Sequence, residues 1–194
     1  MFEALFRYIN DYTSTPLSES EFGSIKAALT PKKIKKKYFF LQEGDVCKYF
    51  AFIVKGAMRQ YFIDEKGVEH TVHLGIENWW AGDRESWVMH APSNYYIEAW
   101  EDCELLLITR YDTLKLMKQF PAFGEMVRKM DDRNNIASQK RIASHLSLTA
   151  EKRYIDFTHS HPNFLERFPQ HVIASYLGIT KDTLSRVRAQ RSKR

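Results

Sequence analysis

From residue 181 onward the sequence sets Lys181, Arg186, Arg188, Arg191, Lys193 and Arg194 against one acid, Asp182. A basic surface beside a tight turn is what contact with phosphates requires. The spacing says which side chains share it. Leu184 and Val187 point inward, leaving Lys181, Asp182, Ser185, Arg186 and, further round, Arg188 and Gln190 outward. The preceding residues can hold such a helix in place. Pro169 suits a first helical position, and Ile173 and Leu177, four apart, give one apolar face. Gly178 falls where a helix ends in the left-handed conformation, Ile179 can bury beneath the turn, and Thr180 can cap the next helix. The pattern is a helix-turn-helix whose second helix carries side chains able to read base edges. An ordinary helical hairpin with a wet charged face is the plainer reading. The helix-breaker placement and the basic surplus favour the sharper one.

Other chemistry finds less support. The seven histidines have no cysteine or carboxylate partners at metal-ligand spacing, and His70 and His73 point to opposite faces of one strand, so no metal site is expected. Cys47 and Cys103 are too few for a thiolate cluster and are expected reduced and packed. No Ser–His–Asp order, P-loop or glycine-rich phosphate loop occurs, so no enzyme and no resident cofactor are expected. The net charge of +5 and pI near 9.1 permit nucleic-acid binding without requiring it. The N-terminus lacks a signal-peptide pattern and no apolar run reaches the ~20 residues that span a bilayer, which points to a soluble cytoplasmic chain away from membranes.

The elements that must carry these groups follow in order. Residues 1–30 read as two helices, with Leu5, Tyr8, Ile9 and Tyr12 on one face and a capping box at Ser18 and Glu21. The run from Lys32 to Lys37 reads as the wet edge of a first strand. From Tyr38 to Arg110 short strands alternate with turns at Gly44-Asp45, Lys55-Gly56 and Asp64–Gly67, an antiparallel barrel or roll. Residues 84–94 read as a polar stretch between strands. A short helix from Thr113 and a long one from Pro121 to about Leu146 follow. In the long helix Phe123, Val127, Met130, Asn134 and Ala137 step by four, three, four, three, the seam of a coiled-coil dimer, which the paired tail motif favours over the alternative that so short a seam packs on the barrel. The expected fold class is α+β. A sensor roll with flanking helices occupies residues 1–120, a dimerisation helix 121–146, and a helix-turn-helix domain 147–194.

This order of parts, with Ile53-Val-Lys-Gly56, Gly82-Asp83 and above all the stretch from Ile173 to Arg186, resembles the CRP/FNR family of bacterial transcription regulators. The resemblance covers nearly the whole chain. It implies a cyclic-nucleotide-binding-like jelly roll, an effector held between the roll and the long helix, and a homodimer. It also implies double-stranded DNA and RNA polymerase as partners. The family's base-reading positions fall on Lys181, Asp182 and Arg186. Arg186 suits the bidentate contact to guanine and Asp182 can accept from a cytosine amino group, although aspartate is one methylene shorter than the family's usual glutamate. Thr183, Ser185, Arg188, Gln170 and His171 fall where phosphate contacts are expected.

The departures concern the effector and the end of the chain. Gly82-Asp83 keeps the acid of the family's phosphate-binding cassette, but Ser93-Asn94 stands where an Arg-Ser pair clamps the phosphate. A charged phosphate without its cation loses on the order of 2–5 kcal/mol, so tight binding of cyclic AMP is not expected. The resemblance places the effector pocket at Gly82, Asp83, Ser93, Asn94, Trp80 and Tyr95. Trp79, Trp87, Tyr96 and Trp100 add to an aromatic surround that suits an apolar or planar small molecule, unless these rings merely fill the roll. The sequence ends at Arg194 without the β-hairpin wing common in the family, so phosphate contacts are expected from the basic tail. A rival reading is a small-molecule sensor that acts through protein partners, with a vestigial DNA-binding domain.

Overall fold

The computed structural model describes residues 1–191; Lys193 and Arg194 of the basic tail lie outside the described residues. Two helices, α1 (Phe2–Asp11) and α2 (Glu19–Ala27), lead in. Ser18 caps α2 through the expected reciprocal pair: its Oγ accepts from the Glu21 amide at 3.3 Å, and the Glu21 carboxylate accepts from the Ser18 amide at 2.9 Å.

The roll has eight strands: β1 (Thr30–Ile34), β2 (Phe39–Leu41), β3 (Tyr49–Lys55), β4 (Met58–Ile63), β5 (Glu69–Gly75), β6 (Trp80–Ala81), β7 (Tyr96–Ala99) and β8 (Cys103–Thr109). They form two four-stranded antiparallel sheets, ordered β1-β8-β3-β6 and β2-β7-β4-β5. The sheets close over Ile53, Met58, Ile97 and Leu105, all buried. β1 is the edge strand it was read to be, but the lysine run outlasts it: Lys32 and Lys33 lie in the strand, and residues 35–37 form the turn that follows. Lys33 pairs with Glu104 at 3.0 Å and Lys35 with Asp102 at 2.8 Å. Residues 84–94, read as a polar stretch, contain a six-residue helix, α3 (Arg84–Met89), capped by Asp83. Such a short helix leaves almost no periodic trace in sequence.

Helix α4 (Arg110–Gln119) and the 27-residue α5 (Pro121–Ser147) follow, then α6 (Ala150–Ser160), α7 (Phe164–Arg167), α8 (Gln170–Tyr176) and α9 (Lys181–Arg191). Pro169 sits one place earlier than expected. It is the N-cap of α8, with ψ 162°, and the helix begins at Gln170. The start of α5 packs into a cluster with α1, α2 and the outer face of β3 and β8, around Leu5, Ile9, Phe52 and Phe123. A third cluster joins α6–α9 to the roll, because Ala57 and Leu74 are buried together with Tyr154, Phe157, Val172 and Leu184. No helix among the described residues is long and apolar enough to cross a membrane.

Candidate nucleic-acid interface and effector cavity

The turn between α8 and α9 is built as its residues dictate. Gly178 has φ 63°; its amide donates to the Ser175 carbonyl at 3.0 Å, and the Ile179 amide donates to the Ala174 carbonyl at 3.0 Å. These two bonds are the Schellman closure of a helix. A Cβ at 178 would lie 2.7 Å from the exposed His145 ring of α5, which could swing aside, so it is the left-handed conformation that calls for glycine. Thr180 Oγ1 accepts from the Thr183 amide at 3.1 Å and starts α9. Leu184 and Val187 are buried, and Lys181, Asp182, Ser185, Arg186, Arg188 and Gln190 are exposed. Thr183 is half-buried, while Gln170 and His171, at the start of α8, are exposed. The His171 ring lies 6.1 Å from that of Trp100 on the roll.

The helical domain is fastened to the roll of its own chain. Ser175 Oγ accepts from the Thr71 amide at 2.9 Å and donates to the Glu69 carbonyl at 3.0 Å, which seats α8 along the edge strand β5. Arg167 of α7 reaches two carboxylates of the roll, Glu77 at 2.9 and 3.1 Å and Glu101 at 2.6 and 2.7 Å. The two carboxylates raise the pKa of the guanidinium, that of Glu101 most. Burial works to raise the Glu77 carboxyl, but Arg167 and the Gly56 amide outweigh it, so it lies below its ordinary value. Trp79 packs on His161 and Phe164, and Trp100 on Phe168.

The first part of the expected seam is used within the chain. Phe123 and Val127 are buried in their own chain's core, half-buried Met130 lines a cavity shared with α3 and α4, and Asn134 and Ala137 are exposed and border the cavity between α5 and the roll. A four-three apolar pattern marks a buried stripe but not what buries it. On the far side Ile136, Ile142 and Leu146 are 50%, 60% and 84% exposed.

The cassette residues are also occupied otherwise than the resemblance implies. Asp83 and Ser93 are buried, and Ser93 Oγ donates to Asp83 Oδ2 at 2.7 Å. Asp83 Oδ1 accepts from the Glu85 amide at 3.1 Å, which caps α3. The pair ties two loop ends together, and its oxygens are spent inside the protein. Arg84 turns away to form a bidentate pair with Asp131 of α5. Gly82 allows close packing, since a Cβ there would meet the Phe50 ring at 2.7 Å.

A cavity of about 300 Å³ lies between the roll and α5. Trp80 and Gly82 line it as anticipated; Asp83, Ser93, Asn94 and Tyr95 do not. Its wall adds residues that the sequence reading did not select: Phe50, Gln60, His73, Arg141, His161 and Tyr176. Trp79 belongs to it, whereas Trp87 lines the neighbouring cavity, Tyr96 stacks on Tyr61 and Trp100 joins the helical domain's core. Burial, helped by Arg141, pushes the His73 ring down to about 4, and burial alone lowers His161. Both rings are thus held neutral near pH 7. Arg141 donates to the Val72 carbonyl and sets its guanidinium 5.2 Å from the centre of the Tyr176 ring. Sequence distance hid this group, because its members come from strands, α5 and the helical domain.

Residues 31–120 match the family model described as the cyclic nucleotide-binding domain. No curated protein matches the sequence. Among solved structures the chain is similar to FixK2 from Bradyrhizobium japonicum, at 19% identity over 85% of each chain with a TM-score of 0.73. It is similar to CLP from Xanthomonas campestris, described as a c-di-GMP responsive global regulator, at 11% identity over 91% of this chain and 92% of that one, TM-score 0.73. It is also similar to a variant of CooA from Carboxydothermus hydrogenoformans, at 19% identity over 94% and 86% of the chains, TM-score 0.72. At these identities the likeness is one of fold. Residues 31–120 thus match the cyclic nucleotide-binding domain model, and the chain as a whole shares the fold of these regulators.

Proposed function

We propose that this chain is a homodimeric, DNA-binding transcription regulator that senses a small molecule in the cavity between roll and long helix. The observation that carries the reading is α9. Its apolar side holds the helix to the domain, and its outer side offers Lys181, Asp182, Ser185, Arg186 and Arg188 to solvent behind a closed glycine turn. In this role Arg186 and Asp182 read base edges and Lys181 assists, while Thr183, Ser185, Arg188, Gln170 and His171 meet phosphates.

The second copy belongs on the outward face of α5. Ile136, Ala143 and Leu146 share that face with the polar Gln139, and exposed apolar groups so aligned on a regular helix are best covered by an equal helix. A symmetric pair sets two reading helices into successive major grooves roughly 34 Å apart and reads a near-palindromic site. The effector is a planar molecule other than a cyclic nucleotide. The buried Asp83–Ser93 pair leaves neither residue free for a ribose or a phosphate, and the cavity is walled by Trp79, Trp80, Phe50 and Tyr176.

Selection of bound duplexes from a random-sequence pool tests the function. Recovery of a shared inverted repeat is the expected result. Recovery of unrelated duplexes, or of none in low-salt buffer, refutes it.

A further inference from the structure

The cavity has three walls, and the third is the DNA-binding domain itself. The roll supplies Phe50, Trp79 and Trp80, α5 supplies Asn134, Ser138 and Arg141, and the helical domain supplies His161 and Tyr176. Tyr176 is the last residue of α8, the first helix of the helix-turn-helix. Its ring lies against Arg141, and the neighbouring Ser175 is bonded to β5. His161 lies 5.9 Å, ring to ring, from Trp79. When the helical domain leaves the roll, both residues leave with it and the cavity loses a side.

The wall also has a definite charge. It contains two guanidinium groups, Arg84 and Arg141, and no carboxylate. Arg84 is committed to Asp131 outside the wall, whereas Arg141 is met by a backbone carbonyl and an aromatic ring. Neither of those neutralises a cation. A ligand carboxylate would, and Gln60, Asn134 and Ser138 stand in the same wall as hydrogen-bond donors for it.

Resting on the effector site proposed above, we infer that the effector is a small planar anion held by Arg141, and that it touches the DNA-binding domain directly through Tyr176 and His161. Such a ligand binds the docked arrangement in preference to the undocked one. Docking and binding are then linked, and the ligand shifts the equilibrium by its differential affinity. Because α8 and α9 share one core, the occupant of the cavity helps to set where the reading helix stands.

The test uses the full chain and 2-naphthoate as probe, with 2-naphthamide as its neutral counterpart, both followed by tryptophan fluorescence. Docking is read separately from hydrogen exchange at the Thr71 amide, whose acceptor is Ser175 of the helical domain. The carboxylate is expected to bind at least tenfold more tightly than the amide, and Arg141→Gln to abolish that preference. At 100 times its dissociation constant the carboxylate is expected to slow Thr71 exchange about tenfold or more, the factor by which it prefers the docked arrangement. Tyr176→Ala is expected to weaken binding about tenfold or more. Should that variant fail to fold, His161→Ala and the exchange measurement on the unaltered chain carry the test. Equal binding of the two probes, or binding of neither at millimolar concentration, overturns the ligand class. Binding that leaves Thr71 exchange unchanged overturns the direct contact. No step requires DNA, so a failure here is distinct from a failure of the regulator reading.

Discussion

Arg167→Ala removes the cation that fastens α7 to the roll, and its effect can be worked from the contacts. The guanidinium makes four hydrogen bonds of 2.6–3.1 Å to two carboxylates. Its side chain is 26% exposed, and those of Glu77 and Glu101 are 34% and 32%. Fully exposed ion pairs contribute about 0–1 kcal/mol, and breaking a fully buried one costs about 3–5 kcal/mol. The partial exposure and the paired geometry place this clamp between those limits, at about 2 kcal/mol of docking free energy. That corresponds to about a 30-fold rise in the fraction of molecules with the helical domain detached. Glu77 keeps the Gly56 amide at 2.8 Å, so the loop it belongs to should persist. Exchange at the Thr71 amide reads the detachment directly and should accelerate by that factor, while amides in the β3–β8 ladder change little. The pH dependence follows in sign. The Glu77 carboxyl is lowered from 4.5 in the folded chain. Its contribution is therefore fully present above about 4.5 and is lost as pH falls through the lowered value. The difference between the unaltered chain and the variant should shrink on acidification below 4.5. A Thr71 exchange rate within threefold of the unaltered chain at pH 7 would show that the clamp does not hold the domain.

Arg186→Ala should cost about 1–3 kcal/mol at a single base position of the selected operator in competition binding, and unchanged sequence preference would remove Arg186 from the reading face. Under the proposed pairing, Ile136→Asp, placed on the outward side of α5, should yield a monomer in sedimentation velocity where the unaltered chain sediments as a dimer. Micromolar cyclic AMP should leave the melting temperature unchanged; a clear upward shift would contradict the burial of the Asp83–Ser93 pair as a block to nucleotide binding. His73 is held at about 4 when folded against 6.5 for the free side chain, so the unfolded chain takes up the proton first. Stability should fall between pH 6.5 and about 4, by about 1 kcal/mol per unit at most because the ring borders the cavity, and His73→Gln should flatten that slope in denaturant titrations.

Local rules carried much of the fold. The Ser18–Glu21 capping box, the cap at Thr180 and the left-handed turn at Gly178 involve residues within five positions of one another, so the types alone dictate them. The short apolar runs of β3 and β8, each bounded by a turn, likewise announce a roll. Local rules misplaced Pro169 by one residue and left α3 unseen, because one turn of helix is below the reach of periodicity.

What the sequence determined by itself was most of the elements and the outward side of α9, since the position of Leu184 and Val187 decides which side chains stay exposed. Tertiary structure alone decided what each buried stripe meets. Phe123 and Val127 proved to be buried in their own chain's core, and the Asp83 carboxylate proved to bond Ser93 and the start of α3. It alone brought Trp79, Arg141, His161 and Tyr176 to one cavity. The reason is physical. A hydrophobic stripe specifies that water must be excluded, but that force has no direction and names no partner, and only the packed chain supplies one.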